Sequence, residues 1–184
     1  MICYDIYEVK ELDVFEAIKG RRSVREYHEE VVSDQDLHKV LEAAIHAPSA
    51  GNLQPWEFIV VKNPKTRKLL AKAALNQFWM TTAPVHIVVC ANEVRSSSIY
   101  GLRGKNLYCI QDTSAAIQNM LLAAYALGYG TCWVGAFDEE AVRKILNIPN
   151  GIRPVAIITL GKPAERPYMT GRRPLSSVVH YEFF

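Results

Sequence analysis

Residues 110–127 constrain the fold more than any other stretch of this 184-residue sequence. Wound as an α-helix, the run is apolar over most of its circumference, so it belongs in the middle of a folded protein rather than on its surface. Gln111, Asp112, Gln118 and Asn119 interrupt it, which argues against a membrane span. Gly128 and Gly130 end it.

Shorter elements are expected around this helix. Residues 13–20 read as a first helix, with Asp13 as N-cap and Gly20 as terminator. A second begins at Ser33, where Ser33 and Asp36 resemble a capping box. Its apolar residues Leu37, Val40, Leu41, Ala44 and Ile45 share one face, and Pro48 stops it. Asn63 and Pro64 suit the N-cap and first position of a third helix reaching Ala74. Residues 56–61, 85–91, 131–137 and 155–160 read as strands, with a short helix over 138–146. Residues 92–108, with Ser96, Ser97, Ser98, Gly101 and Gly104, read as a long polar surface loop, a common place for a lid. Helices alternating with strands could signal a parallel sheet, but several connections are too short or irregular for regular crossovers, so an α+β fold is expected.

Apolar residues make up 49% of the chain, enough for a core without disulfide staples. The formal charge of +2 gives no general reason to expect nucleic acid or an anionic membrane as partner. Cys3, Cys90, Cys109 and Cys132 form neither a C-x-x-C pair nor a zinc spacing with histidine, and Cys90 and Cys132 read as buried free thiols. Residues 1–10 carry Asp5 and Glu8 and lack the apolar stretch of a secretory signal, so a soluble, cytoplasmic protein is expected.

Three segments carry chemistry. Gly20-Arg21-Arg22-Ser23-Val24-Arg25 gathers three guanidinium groups and a hydroxyl just after a helix, a set suited to phosphate, although a solvated basic turn has the same composition. A nucleic-acid reading lacks a broader basic face and interleaved aromatics. Residues 47–56 (Ala-Pro-Ser-Ala-Gly-Asn-Leu-Gln-Pro-Trp) make a rigid, closely approachable backbone suited to a flat ring. Asn52 and Gln54 could order that turn or bond a heterocycle edge, and Trp56 reads as core. In residues 128–137 the spacing is not G-x-G-x-x-G and follows a helix instead of opening one, which disfavours a dinucleotide fold. Gly135 would admit a ligand close to backbone N–H groups.

In this order, and together with Gln111-Asp112, residues 117–124 and the closing Val178-Val179-His180-Tyr181-Glu182, these segments resemble the FMN-dependent nitroreductase family over nearly the whole chain. The resemblance implies one FMN-binding unit with residues 13–165 as core and 166–184 as a C-terminal arm. It implies a mainly antiparallel sheet flanked by helices, and a homodimer that exchanges arms and binds FMN at its interface. Arg21, Arg22 and Ser23 match the segment that holds phosphate and ribityl chain, and Arg25 the basic position near flavin N1 and O2. Pro48, Ser49 and Ala50 match the strip that approaches the ring from the other subunit, with Asn52 beside it. Gln77, or its neighbour Asn76, matches an amide near the pyrimidine edge, and Val134 and Gly135 the backbone pair facing N5 and O4. Arg172, with Arg173, matches a C-terminal phosphate clamp. The family often carries Lys two residues earlier, where this chain has Thr170, and that leaves open which arginine makes the second contact.

Such a protein would pass electrons from NAD(P)H through FMN to a small acceptor such as a nitroaromatic or quinone, in two alternating half-reactions. Reduced flavin gathers negative charge at N1 and O2, where a guanidinium favours reduction. No protein side chain is then required as catalytic acid or base, and the histidines (His28, His38, His46, His86, His180) are scattered, with His86 expected in the core or sheet and His180 packed within the arm. Tyr100 and Arg103 become candidate substrate contacts in the lid, although an ordinary surface loop is the competing reading. Two other functions stay open: a specialised flavoenzyme of the same fold (reductive dehalogenase, flavin-consuming enzyme or biosynthetic dehydrogenase), and a non-catalytic basic-loop binding protein. Neither metal, nucleic acid nor membrane is expected as partner.

Overall fold

The computed structural model describes residues 12–184. The expectations for residues 1–10, and for Cys3, lie outside the described residues. Helices α1 (Val14–Gly20) and α2 (Asp34–Ile45) precede strand β1 (Trp56–Val61), helix α3 (Pro64–Ala73) and strand β2 (Val85–Asn92). Helix α4 (Glu93–Arg103) leads through a π turn (Gly104–Tyr108) into α5 (Cys109–Ala126), followed by β3 (Gly130–Val134), α6 (Glu139–Leu146) and β4 (Ile152–Gly161).

The four strands form one sheet in the order β1-β2-β4-β3, and every neighbouring pair is antiparallel. This is the expected α+β architecture. The central strands β2 and β4 are buried on both faces, and their period-2 alternation feeds two cores. Ile87, Val89, Ala156, Ile158 and Leu160 pack with α2 and α5, while Val88, Cys90 and Ile157 pack with α3 and α6. Helix α5 lies in the larger core, where Ala116, Ile117, Met120 and Ala124 have no exposed surface. That is the central position its composition demands. No helix among the described residues is long and apolar enough to cross a membrane.

Local signals set most boundaries. Ser33 Oγ accepts the Asp36 N–H at 3.0 Å, and Asn63 Oδ1 accepts the N–H groups of Lys65 and Thr66. Asp138 caps α6 through the Ala141 N–H. Asp13 has the backbone conformation of an N-cap without a side-chain bond. Strand β3 stops at Val134, short of the expected 137, and leaves Gly135 and Ala136 exposed outside the ladder.

The expectation of a loop over 92–108 is wrong: the segment is helical nearly throughout. Asn92 Oδ1 caps it through the Arg95 N–H, Lys105 pairs with Glu93, and Ser97 and Ser98 turn their hydroxyls back onto carbonyls three residues earlier. Gly101, at φ 53° and ψ −138°, supplies a kink between the two helical pieces.

Candidate active site

The basic segment leaves the end of α1 and runs along the free edge of β3. Ser23 bridges Thr131 in parallel fashion, and the Val24 N–H donates to Thr131 O at 2.9 Å. Tyr27, buried, pins the far end: its hydroxyl lies 2.5 Å from Val24 O and 2.7 Å from Thr159 Oγ1. Small residues permit the close approach. A Cβ on Gly130 would fall 2.9 Å from the Val24 side chain, and one on Gly20 would fall 2.2 Å from Tyr125 Oη.

This path brings Arg21, Arg22, Ser23 and Arg25 to a cavity of about 380 Å³, closed on its other side by Pro167, Tyr168, Thr170 and Arg172. Among the described residues, none of these four arginines has a carboxylate within ion-pair distance. Burial, and then the charges of Arg172 and Arg22, pull Arg21 below the ordinary guanidinium pKa. A cluster of like charges, with Arg21 and Arg22 half-buried and Arg25 and Arg172 exposed, is a poor arrangement for a protein alone and a good one for an anion. Arg22 also donates to Lys19 O at 2.5 Å and Arg21 O at 2.8 Å, so it closes the carboxyl end of α1 as well. Arg173 donates to Ser177 O at 3.0 Å and does not line the cavity.

Two further residues support the cluster, of which Glu165 carries no sequence signal of its own. Glu165 Oε1 accepts the Arg25 N–H at 2.5 Å, which fixes the backbone and leaves the guanidinium free to lie over Trp79, 5.8 Å from the ring centroid. Cys132 lies beneath the cluster as a buried thiol. Burial pushes its pKa up, against the pull of Arg25, so it is protonated and unreactive.

Gln77 Nε2 donates to Ala136 O at 3.2 Å, which ties the amide to the exposed backbone just past the end of β3, beside Gly135. A Cβ on Gly135 would meet nothing closer than Trp133 Nε1 at 3.9 Å, so this backbone face is open to a flat ligand. Residues 48–52 lie elsewhere. Pro48, Ser49, Ala50 and Asn52 line neither cavity that Arg21 and Arg22 share, and Pro48 and Asn52 are exposed. Asn52 and Gln54 bond each other at 3.2 Å and so order the turn. Tyr100 leans on this turn, because a Cβ on Gly51 would fall 2.6 Å from its hydroxyl. Arg103 donates to Tyr108 Oη at 2.9 Å, and Tyr108 stands edge-on to Tyr100 with centroids 5.1 Å apart.

The family model described as "Nitroreductase family" matches residues 18–79 and 71–162. A putative NADH dehydrogenase/NAD(P)H nitroreductase of Archaeoglobus fulgidus is 40% identical over 152 residues, covering 80% of this chain and 84% of the relative. One of the same description from Methanothermobacter thermautotrophicus is 38% identical over 164 residues, covering 87% and 82%. A Bacillus subtilis FMN reductase [NAD(P)H] is 27% identical over 186 residues, covering 94% and 74%. Among solved structures, a putative NADH dehydrogenase/NAD(P)H nitroreductase of Parabacteroides distasonis superposes with a TM-score of 0.83 at 30% identity, covering 93% of this chain and 98% of that one. The NADPH:FMN oxidoreductase of Vibrio harveyi, complexed with NAD+, gives 0.86 at 26% identity, covering 93% and 77%.

Proposed function

The chain belongs to the nitroreductase family, and from that premise we propose that it is an FMN-dependent NAD(P)H oxidoreductase reducing small flat acceptors such as nitroaromatics or quinones. The observation that carries the reading is the convergence of Arg21, Arg22, Ser23 and Arg172, without carboxylate partners among the described residues, on one cavity. The donor set fits a phosphomonoester: fixed positive charge from three guanidinium groups and one neutral hydroxyl. The exposed, Cβ-free backbone at Gly135 fits an isoalloxazine edge. Two relatives whose names include FMN support the choice of cofactor.

When bound, FMN supplies the two-electron carrier between the nicotinamide and the acceptor. Arg21, Arg22, Ser23 and Arg172 hold its phosphate, and Arg172 is assigned the C-terminal contact ahead of Arg173, which turns away to Ser177. Arg25 would supply positive charge favouring negative charge at N1 and O2. Val134 and Gly135 would offer backbone groups for N5 and O4, and Gln77 an amide for the pyrimidine. Pro48, Ser49, Ala50 and Asn52 are assigned to a second copy of the chain, as the resemblance to the family implies; within one copy they line neither arginine cavity. Residues 13–165 then form the core of one unit, and 166–184 an arm whose first part, to Arg172, closes the cavity of its own copy and whose end reaches over the partner. Tyr100, packed against the Gly51 turn, and Arg103 would contact the substrate from the same copy as that turn. Donor and acceptor use one pocket in turn, so each competes with the other.

The purified protein should be yellow, and NADH or NADPH should bleach it in the absence of oxygen. Arg21→Ala should weaken FMN binding about ten- to a hundredfold, the cost of a charge-assisted phosphate bond, and leave the unfolding temperature nearly unchanged. Fluorescence titration of the apoprotein measures the affinity; an unchanged value would remove Arg21 from the phosphate site.

A further inference from the structure

We propose that Asp112 is a positioning residue that holds the turn Ala50–Asn52 in the shape the ring requires; the inference rests on the FMN reading above. The turn runs through the left-handed region, with φ of 56°, 54° and 49° at Gly51, Asn52 and Gln54; glycine and asparagine adopt it readily, whereas for Gln54 it is costly. Internal bonds close part of it: Asn52 N–H to Ser49 O at 3.0 Å, Leu53 N–H to Ala50 O at 3.1 Å, and Gln54 N–H to Ser49 Oγ at 3.0 Å. The Ala50 N–H opens the turn and has no acceptor within it, as at any helical start. Asp112 Oδ1 takes it at 3.1 Å.

Asp112 makes that bond from a rigid base. It lies on α5, is 7% exposed, and its neighbours Thr113 and Ala116 are fully buried. Its other oxygen, Oδ2, has no hydrogen-bond partner among the described residues. Cys109, one turn earlier, is a protonated neighbour that burial keeps neutral, and no Lys or Arg pairs with the carboxylate among the described residues. A buried carboxylate without a cation costs stability, and burial accordingly raises its pKa despite the Ala50 bond. Its contribution therefore lies in the geometry of the turn. Helix α4 grips the same turn from the other side, through Arg95 Nη1 to Gln54 O at 2.7 Å and the Tyr100 hydroxyl beneath Gly51. Of these contacts, only the one from Asp112 fixes a residue of the strip assigned to the ring.

Asp112→Ala and Asp112→Asn in the full chain separate acceptor geometry from mere packing. Asp112→Ala should raise the FMN dissociation constant about tenfold, slow anaerobic reduction by the nicotinamide, and speed amide exchange in residues 49–54 with α5 still protected. Asp112→Asn keeps a carbonyl oxygen for Ala50 and should restore all three readouts to within about twofold of wild type. Asp112→Ala with wild-type affinity, reduction rate and exchange would overturn the proposal, as would an Asp112→Asn variant as impaired as the alanine one. Should Asp112→Ala not fold, Ala50→Pro deletes the donor and leaves the carboxylate; wild-type flavin affinity there would equally refute the role. A wild-type chain that takes up no FMN would sink the cofactor reading instead, and exchange in the turn would still decide whether Asp112 holds it.

Discussion

His86 has no exposed surface, and its Nε2 lies 2.8 Å from Met80 O. A carbonyl can only accept, so Nε2 carries the proton and Nδ1 is a bare, buried acceptor with no partner among the described residues. Protonating Nδ1 would place a charge in the core beside Arg67, and burial lowers the pKa from 6.5 to about 4. The unfolded chain takes up a proton as pH falls below 6.5, and the folded chain resists until near 4. Stability is therefore intact at neutral pH and declines across that window, by about 3 kcal/mol at its limit. Urea unfolding at several pH values between 7 and 4 should follow that decline. An NMR titration assigns it to His86, whose ring signals should stay still from pH 7.5 to 5; a midpoint near 6.5 would contradict the burial argument. The core placement of His86 was legible in the sequence because the residue sits inside an apolar, β-branched run. The bond to Met80 was not, because it depends on the turn that brings residue 80 beside the strand.

Among the elements, the strands and capped helices were legible because their determinants are local: continuous apolar runs for β1, β2 and β4, and Ser33 and Asn63 as caps for α2 and α3. Helix α4 was not, because three serines and Gly101 depress its propensity, and part of what holds it comes from far along the chain, through Arg95 to Glu57 and to Gln54 O. Ser96 is fully buried, and Gly104 lies so close that an added Cβ would fall 2.4 Å from Ser96 O. That collision is with backbone, which cannot rotate away. Gly104→Ala should therefore destabilise by about 2 kcal/mol and lower the unfolding temperature by about 5 °C. Differential scanning fluorimetry measures it, and an unchanged midpoint would mean that the π turn yields freely. The arginines of the site were legible as charge and, through the resemblance, as partners of Arg172; the contact of Arg25 with Glu165 was not, because it joins residues 140 apart with no motif of its own. Nor could the sequence show that Asn52 and Gln54 are occupied with each other, since Asn and Gln serve a turn and a ligand equally well.

At the scale of the molecule, the arm poses a question that one copy of the chain does not answer. Leu175, Tyr181 and Phe183 are each more than three-quarters exposed, Phe184 is fully so, and Val14, Phe15 and Ile18 of α1 also face outward. His180 stacks on Phe184 at 4.3 Å, a contact within the arm that buries little. So much apolar surface is the mark of an interface, and a second copy would cover it while delivering residues 48–52 to the flavin. Two variants separate these contributions. Ending the chain after Pro174 removes the apolar end of the arm and keeps Arg172 and Arg173; it should shift the protein to monomer in light scattering and weaken FMN binding because the partner's strip is lost. Arg172→Ala should leave the dimer intact and weaken FMN by about tenfold through the phosphate alone. A truncated chain that remains dimeric with undiminished flavin affinity would show that the arm does not hold the copies together. An Arg172→Ala variant that came apart into monomers would show instead that Arg172 acts at the interface rather than on the phosphate.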